Sequence, residues 1–280
     1  MDVVPVDDRI LPVTRLVAAV VAPILAVAGV LLYLFPAETE RLWAWPMDPP
    51  MTALAVGGGY LAGAVLFARA ARERCWHTIG VVFLAATALS GLLLVATFLH
   101  WDRFTHGHVS FWAWLALYLV TPWLLPLLWL RNRRHDPGAP AEGDTVPDPM
   151  RLAGGALGAA LLTVALAMFV HPPLATGSWP WSLTPLTART VSAFLAFIGI
   201  LLLVSLFERR WSALRLHVES ATLGLALVAV GAVRARGDFD GPAWAVAAFF
   251  MLLGGVLAVL VGGWTVMQRT GGAQRPDGGR

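Results

Sequence analysis

The sequence has no lysine, a single cysteine and few charged residues. All 20 basic side chains are arginines, and only 13% of the 280 residues are charged. Cys75 has no second cysteine in the chain, which excludes a disulfide-stabilised secreted scaffold. The hydrophobic fraction is 58% and the mean hydropathy is +0.70. This composition lies outside the globular range and predicts that lipid surrounds most of the chain.

The excess of positive charge does not indicate a nucleic-acid partner. The pI is about 9.7, but the arginines form short clusters between long apolar runs. Such clusters are typical of the loops that orient a membrane protein, whereas a nucleic-acid site needs a continuous basic stripe. We therefore expect the lipid bilayer, and no nucleic acid, as a partner.

Eight apolar runs are long enough to cross a bilayer, because a hydrocarbon core about 30 Å thick requires roughly 20 helical residues. The first run follows an acidic leader and has no small-residue cleavage site after it, so we interpret it as a retained span. The predicted fold is an all-α integral membrane protein with eight transmembrane helices. The predicted spans are 16–35, 52–70, 76–99, 109–130, 152–170, 188–207, 216–233 and 242–267.

The distribution of arginine between alternate loops predicts the orientation. Fifteen of the 20 arginines lie on the side that holds both termini. Basic loops stay in the cytoplasm, so both termini are predicted to be cytoplasmic. The all-arginine basicity and the richness in small aliphatic residues suit a high-GC bacterium, which places the protein in the bacterial inner membrane. Tryptophans gather near the opposite, outer interface, where indoles lie between acyl chains and headgroups.

An internal duplication is visible at a shift of 136 positions. Trp43 and Trp45 then fall on Trp179 and Trp181 without a gap. The chain is therefore predicted to contain two four-helix repeats. Because four spans is an even number, both repeats enter the membrane in the same orientation, related by a pseudo-two-fold axis along the membrane normal.

The predicted domain boundaries follow from this duplication. The first repeat occupies 1–135 and the second 151–270. A proline-rich cytoplasmic linker at 136–150 joins them, and 271–280 form a flexible tail.

Each repeat carries a tryptophan-rich loop before its second span. In both loops a polar side chain, Asp48 or Thr184, stands just before a proline, which is typical of a helix N-cap followed by its first residue. One interpretation is an aromatic anchor with a helix cap. The other is a paired platform that binds an amphiphile through Trp43, Trp45, Asp48, Trp179 and Trp181.

Residues 179–189 read WPWSLTPLTAR. This duplicated segment resembles one found in uncharacterised multi-pass membrane proteins of actinobacteria. The resemblance covers one loop and one helix start, and the rest of the chain only in hydropathy. It implies a multi-pass membrane protein and no particular activity. The first copy has Ala53 where the second has Arg189, so any role of that arginine belongs to one half.

Two charged residues lie inside predicted spans, where ionisation in lipid is costly, and are candidate ligand-binding residues. Arg189 is near the outer start of the sixth span, and Glu219 is about one turn into the seventh. Structural roles compete with this reading, because Glu219 can pair with Arg215. Arg189 stands at a helix N-terminus, where the dipole disfavours a cation, so it is predicted to meet an anion: a lipid phosphate, a substrate carboxylate, Glu40 or Asp48.

The loop after the third span contains four potential metal ligands: His100, Asp102, His106 and His108. Imidazole and carboxylate groups suit zinc or another divalent transition metal. The matching loop of the second repeat has no histidine, so a solvated loop is the competing interpretation. We expect no other cofactor.

No serine–histidine–acid order, phosphate loop or cysteine pair is recognisable, and this favours a non-catalytic protein. The leading hypothesis is binding or passage of a lipid-like or small amphiphilic ligand between the halves. A subunit of a membrane complex or a homo-oligomer is a related reading. The alternative is an outward-facing metal-dependent enzyme that uses the loop from His100 to His108.

Overall fold

The computed structural model describes residues 7–136, 138 and 145–273. Helices make up 81% of the structure, and no strand occurs in the part of the chain that it describes. The long helices are α1 (Pro12–Leu34), α2 (Pro50–Ala70), α3 (Gly80–Leu99), α4 (Val109–Asn132), α5 (Asp148–Val170), α6 (Pro185–Leu203), α7 (Trp211–Arg234) and α8 (Ala243–Ala273).

Over the described ranges, eight helices are long and apolar enough to cross a membrane. This confirms the predicted number of spans and the all-α class, and it indicates a multi-pass membrane protein. α7 begins at Trp211, five residues before the predicted span. The helix continues through Arg215 because a long arginine side chain can extend its charge out of the apolar layer.

The linker and the tail are covered only in part. α5 begins at Asp148, inside the predicted linker, and α8 continues to Ala273, inside the predicted tail. The predicted linker and tail positions at 137, 139–144 and 274–280 lie outside the described residues.

Four helices form the centre of the bundle and four flank it. α2 packs against α7 and α3 packs against α6, which joins the first half of the chain (7–136) to the second half (145–273). α1, α4, α5 and α8 pack against α2, α3, α6 and α7, respectively. The most apolar part of α2 is 67% buried, compared with 22% for that of α8, so α2 is a central helix and α8 leaves most of its surface to lipid or a partner.

Close approach of α5 and α6 depends on glycine. A Cβ placed on Gly158 would lie 2.7 Å from the carbonyl oxygen of Gly199, and a Cβ on Gly199 would lie 2.9 Å from the backbone nitrogen of Leu162. These neighbours are backbone atoms that cannot rotate away. Glycine is therefore required at this crossing, in keeping with the small-residue faces of membrane helices.

Because each long helix carries the chain from one side of the bundle to the other, alternate loops meet at opposite ends. At the tryptophan end the N–H of Thr105 donates to the carbonyl of Ala44 at 2.8 Å, and the N–H of Gly241 donates to that of Pro180 at 3.0 Å. The tryptophan end comprises 35–49, 100–108, 171–184 and 235–242.

The arginine end lies on the opposite side and comprises the described residues 7–11, 71–79, 133–136, 138, 145–147 and 204–210. The N–H of Trp76 donates to the carbonyl of Asp8 at 2.9 Å. The N–H of Val146 donates to the carbonyl of Arg209 at 2.8 Å. The segment before α1 is therefore bound to the loop before α3, and the segment before α5 is bound to the loop before α7.

Candidate functional site

A cavity of about 490 Å³ lies at the centre of the bundle. Apolar side chains from both halves form nearly all of its wall, including Leu66, Leu89, Phe194 and Leu253. The volume falls within the range of small-molecule sites, which is about 300–1,000 Å³. An apolar space of this kind excludes water and favours a hydrocarbon occupant.

Hydroxyl groups interrupt this apolar wall at five positions of the described chain. The hydroxyl oxygens of Tyr60 and Tyr118 lie 2.7 Å apart, while Ser90 and Thr121 donate to backbone carbonyls of their own helices. Ser220 also lines the cavity, and its buried hydroxyl has no hydrogen-bond partner among the described residues. An unpaired buried hydroxyl costs about 1–3 kcal/mol, so a ligand group that reached Ser220 would stabilise the site.

The first tryptophan-rich loop folds into the protein. Trp43 and Trp45 are only 5% and 1% exposed, and the Trp45 ring meets that of Trp114 edge to face with 4.8 Å between ring centroids. They lie at the predicted end of the bundle, but their predicted contact with acyl chains and headgroups is wrong, because hydropathy does not distinguish a ring packed against protein from one packed against lipid. Trp112 and Trp244, at 56% and 64% exposure, do face outward.

The second loop reaches the cavity that the first does not. Trp179 and Trp181 both line it. The Nε1–H of Trp181 donates to the Thr52 hydroxyl at 2.9 Å, which joins the loop to α2 of the other half. The two predicted platforms therefore differ. Trp43 and Trp45 are buried in the core, whereas Trp179 and Trp181 line the wall of the cavity.

The two predicted helix caps have different outcomes. Thr184 accepts a hydrogen bond from the N–H of Thr187 in a capping box, which confirms it as the N-cap of α6. Asp48 is exposed and caps nothing, because α2 begins at Pro50 with Pro49 as its N-cap, one residue later than predicted. The N–H of Met51 donates instead to Asp238 in the loop after α7.

Arg189 connects three helix ends at the tryptophan end. Its Nη1 lies 2.6 Å from Nε2 of His100, and its Nε donates to the carbonyl of Phe169 at 3.1 Å. Since a guanidinium can only donate, His100 is neutral at Nε2 and accepts. Burial, followed by the charges of Arg189 and Arg103, lowers the pKa of His100.

The anion predicted beside Arg189 is not a carboxylate of the described residues. Neither Glu40 nor Asp48 bonds to it. The carbonyl at the end of α5 and the imidazole lone pair supply the two acceptors instead.

Glu219 lies near the arginine-end side of α7 and accepts hydrogen bonds from three side chains. Arg215 Nε lies 2.8 Å away and Trp264 Nε1 lies 3.0 Å away, and Arg69 of α2 forms an ion pair with the same carboxylate. The predicted pair with Arg215 is confirmed. The bonds from Arg69 and Trp264, which join α7 to α2 and α8, add two partners to this structural role that the sequence did not reveal.

The four candidate metal ligands of the 100–108 loop do not converge. Nε2 of His100 is occupied by Arg189, and Nδ1 of His108 lies 2.9 Å from the carbonyl oxygen of Trp43. The ring of His106 packs on that of Trp101, while Asp102 is exposed. In this loop, all of which the structure describes, the four side chains do not form a group close enough to share an ion.

A buried ion network stands at the arginine end. Arg210, whose side chain is 8% exposed, donates to Asp136 at 2.6 Å and to Glu208 at 2.6 Å. Burial by itself would raise the pKa of each carboxyl group, but the hydrogen bonds from Arg210 outweigh it and lower both. The same carboxylates raise the pKa of the guanidinium.

Next to this network, Asp8, His77 and Ser212 form a chain of hydrogen bonds. Asp8 Oδ2 contacts Nδ1 of His77, and Nε2 of His77 lies 3.0 Å from Oγ of Ser212. The sequence shows no recognisable serine–histidine–acid order, and only the fold brings these three residues together. Asp8 and Ser212 lie 69 and 135 residues from His77 along the chain, and no local motif marks them.

The sequence analysis did not predict the Tyr60–Tyr118 pair, although the chain has only three tyrosines and that rarity was a usable signal.

The resemblance carried by 179–189 stays a prediction. Comparisons with protein families, with curated proteins and with solved structures found no match for this chain.

Proposed function

We propose that this protein is a polytopic bacterial inner-membrane protein that binds or passes an amphiphilic ligand through the cavity between its two halves. The apolar cavity of about 490 Å³, with a Ser220 hydroxyl in its wall that has no hydrogen-bond partner among the described residues, is the observation that carries the proposal. A ligand with a hydrocarbon part and a small hydrogen-bonding group satisfies both features.

The orientation rests on the contrast between the two ends. In the sequence, 15 of the 20 arginines fall in the loops, helix ends or termini that the predicted topology places on one side, while buried and exposed tryptophans gather at the other. Cytoplasmic loops retain arginine, so the arginine end, with both termini, faces the cytoplasm.

Three features of the packing support two like-oriented repeats. The isolated bridge between Arg9 and Cys75 has a counterpart between Thr145 and Arg210, and residue 145 follows residue 9 by the 136 positions of the sequence duplication. α2 corresponds to α6 in the duplication, and α3 corresponds to α7. A two-fold axis would therefore exchange the contact of α2 with α7 and the contact of α3 with α6.

The third feature is a matched pair of arginines. Arg189 donates to the carbonyl of Phe169 and lies 5.9 Å from its ring centre. Arg234 donates to the carbonyl of Tyr33 at 2.7 Å and lies 5.2 Å from its ring centre. Phe169 and Tyr33 are again 136 positions apart. In each half, an arginine thus contacts the carboxyl end of the first helix, α5 or α1. The two arginines come from different helices, α6 and α7.

The test is native mass spectrometry of protein extracted in a mild detergent, with and without a narrowed cavity. Ala221 lines the cavity, while Ala226 on the same helix is exposed. We expect the wild type and Ala226→Leu to retain a bound amphiphile that Ala221→Leu loses. Ligand-free protein in every sample, or equal retention by both variants, would contradict the proposal. Recovery of a second protein chain in place of a small molecule would favour a complex subunit.

A further inference from the structure

We propose that Asp8, His77 and Ser212 form a nucleophilic relay at the arginine end, in which Ser212 attacks the carbonyl carbon of an ester. This activity is separate from the cavity, whose wall includes none of the three residues.

The order of atoms in the relay matches what nucleophile activation requires. The Asp8 carboxylate accepts from the backbone N–H of His77 at 3.1 Å through Oδ1 and contacts Nδ1 through Oδ2. A carboxylate can only accept, so Nδ1 carries a proton, and in the neutral ring Nε2 carries the lone pair. In that state Nε2 can accept the hydroxyl proton of Ser212, whose Oγ lies 3.0 Å away. This is the acid–imidazole–hydroxyl order of serine hydrolases.

Backbone contacts hold the three residues in position before any substrate binds. The bridge between Arg9 and Cys75 and the bond from Trp76 to the carbonyl of Asp8 fix the acid beside the histidine. Ser212 is the second residue of α7. Such fixed geometry reduces the entropy cost of reaching the transition state.

The surroundings suit attack at a carbonyl group. Side chains of Asp8 and His77 are each 17% exposed, so the relay is shielded but reachable from solvent. Ser212 lies in the first turn of the 24-residue helix α7, whose N-cap residue Arg210 makes no side-chain capping bond. The positive end of the helix therefore stands beside the nucleophile, where it can stabilise a developing oxyanion.

The reaction balances with water as the only co-reactant. Ser212 Oγ bonds to the carbonyl carbon as its proton passes to His77 Nε2, and the C=O electron pair moves onto oxygen. The intermediate then expels the alcohol, which takes the proton from His77. Water repeats both steps on the acyl-serine and releases the carboxylic acid. The Asp8 side chain holds the ring through Nδ1 and stabilises the imidazolium that forms.

A metal site formed by Asp8, Cys75 and His77 is the competing reading, because their ligand atoms lie within 4.8 Å of one another. Two ligand atoms bound to one tetrahedral zinc ion lie about 3.3 Å apart. Asp8 and His77 instead make a direct hydrogen bond. Burial, followed by the neighbouring Asp8 carboxylate, raises the pKa of the Cys75 thiol, whereas a metal ligand must be a thiolate.

The substrate class follows from the position of the relay. It lies at the end of a bundle of membrane-spanning helices, where the head of an amphiphile meets water. Exposed Arg74 adjoins Cys75, and Arg209, with 57% of its side chain exposed, lies three residues before Ser212. These cations favour an acyl ester that carries negative charge.

The experiment treats the full-length protein in detergent with a fluorophosphonate probe, which forms an O–P bond with an activated serine and expels fluoride. Peptide mass spectrometry then locates the adduct. We expect Ser212 to be labelled in the wild type. The Ser212 adduct should be lost in Ser212→Ala and reduced roughly 100-fold or more in His77→Gln. Ser205→Ala is the matched control, because Ser205 lies at the same end outside the relay and bonds to backbone carbonyls.

Two further variants separate the competing readings. Cys75→Ser should keep the adduct if the relay is correct. Zinc bound in stoichiometric amount to the wild type and lost in Cys75→Ser would overturn the relay in favour of a metal site. The relay would also be overturned if the wild type formed no Ser212 adduct. The wild type must then unfold at the same temperature as Ser205→Ala, which shows that it is folded. Ala221→Leu should label as the wild type does, so failure of the cavity proposal leaves this one standing.

Discussion

The backbone N–H of Met51 donates a hydrogen bond to Oδ2 of Asp238 at 2.8 Å, across 187 residues of chain. Met51 is the second residue of α2 in the first half, and Asp238 follows α7 in the second half. The cap of one central helix is thus supplied by the loop after the helix that packs against it. The start of α2 and the contact between the halves depend on the same bond.

Asp238→Ala should destabilise the protein by about 1 kcal/mol, the usual cost of a lost helix cap. Asp48→Ala is the control, because Asp48 is exposed and makes no bond to α2. Thermal unfolding in detergent measures both. Equal unfolding temperatures for the two variants would show that Asp238 does not act as the cap.

Lowering the pH should destabilise the tryptophan end, because the His100 ring is then protonated. Burial, then Arg189 and Arg103, lowers the pKa of His100 below its ordinary value of 6.5. The folded state therefore favours the neutral ring, and its contribution is complete above pH 6.5 and lost as the pH falls through the lowered pKa. Thermal unfolding between pH 7.5 and 5 should show this loss. Arg189→Ala should flatten the pH dependence, and an unchanged slope in that variant would count against the pairing.

Arg210→Ala should destabilise the arginine end by about 3 kcal/mol, because it leaves Asp136 and Glu208 charged without their donor. Arg210→Lys should also destabilise it, because an ammonium cannot reproduce the planar fork that reaches both carboxylates. Arg209→Lys is the control, since 57% of the Arg209 side chain is exposed. Chemical denaturation of the three variants tests the order, and a neutral Arg210→Lys would contradict it.

The same network should make the wild type sensitive to acid. The pKa values of Asp136 and Glu208 are lowered from ordinary values of 3.8 and 4.5. Their contribution is therefore present above about pH 4.5 and lost as the pH falls through the lowered pKa values. Arg210→Ala should lose less stability than the wild type over that range when unfolding is followed by tryptophan fluorescence.

Gly158→Ala should destabilise the α5–α6 contact by about 1–3 kcal/mol, because the added methyl group meets the backbone of Gly199. Gly91→Ala is the control, since a Cβ at Gly91 has no atom within 4 Å and alanine favours a helix. Unfolding temperatures in one detergent compare the two. A neutral Gly158→Ala would mean that the helices can separate without cost.

Topology is tested by labelling single cysteines in a Cys75→Ser background. A cysteine at exposed Asp102 should react with an impermeant maleimide from outside intact cells, and one at Gly138 should react only after lysis. External labelling at Gly138 would reverse the proposed orientation.

The eight helices could be predicted from the sequence because the requirement is local. A bilayer demands about 20 consecutive apolar residues with internally satisfied backbone bonds, and each run meets that demand without reference to the others. The cap at Thr184 was equally predictable, since its partner Thr187 is three residues away. The pair of Glu219 with Arg215 lies within one helical turn and follows the same logic.

The tertiary structure alone decided which side chains face protein and which face lipid. Trp43 and Trp45 are as apolar in the sequence as the exposed Trp112, yet only the first two are buried. Likewise Asp8, His77 and Ser212 come from three distant segments, and the Met51 cap comes from the opposite half. Hydropathy responds equally to a protein core and to a bilayer, and hydrogen bonds between distant residues leave no periodic trace along the chain. These contacts are therefore fixed only when the helices pack.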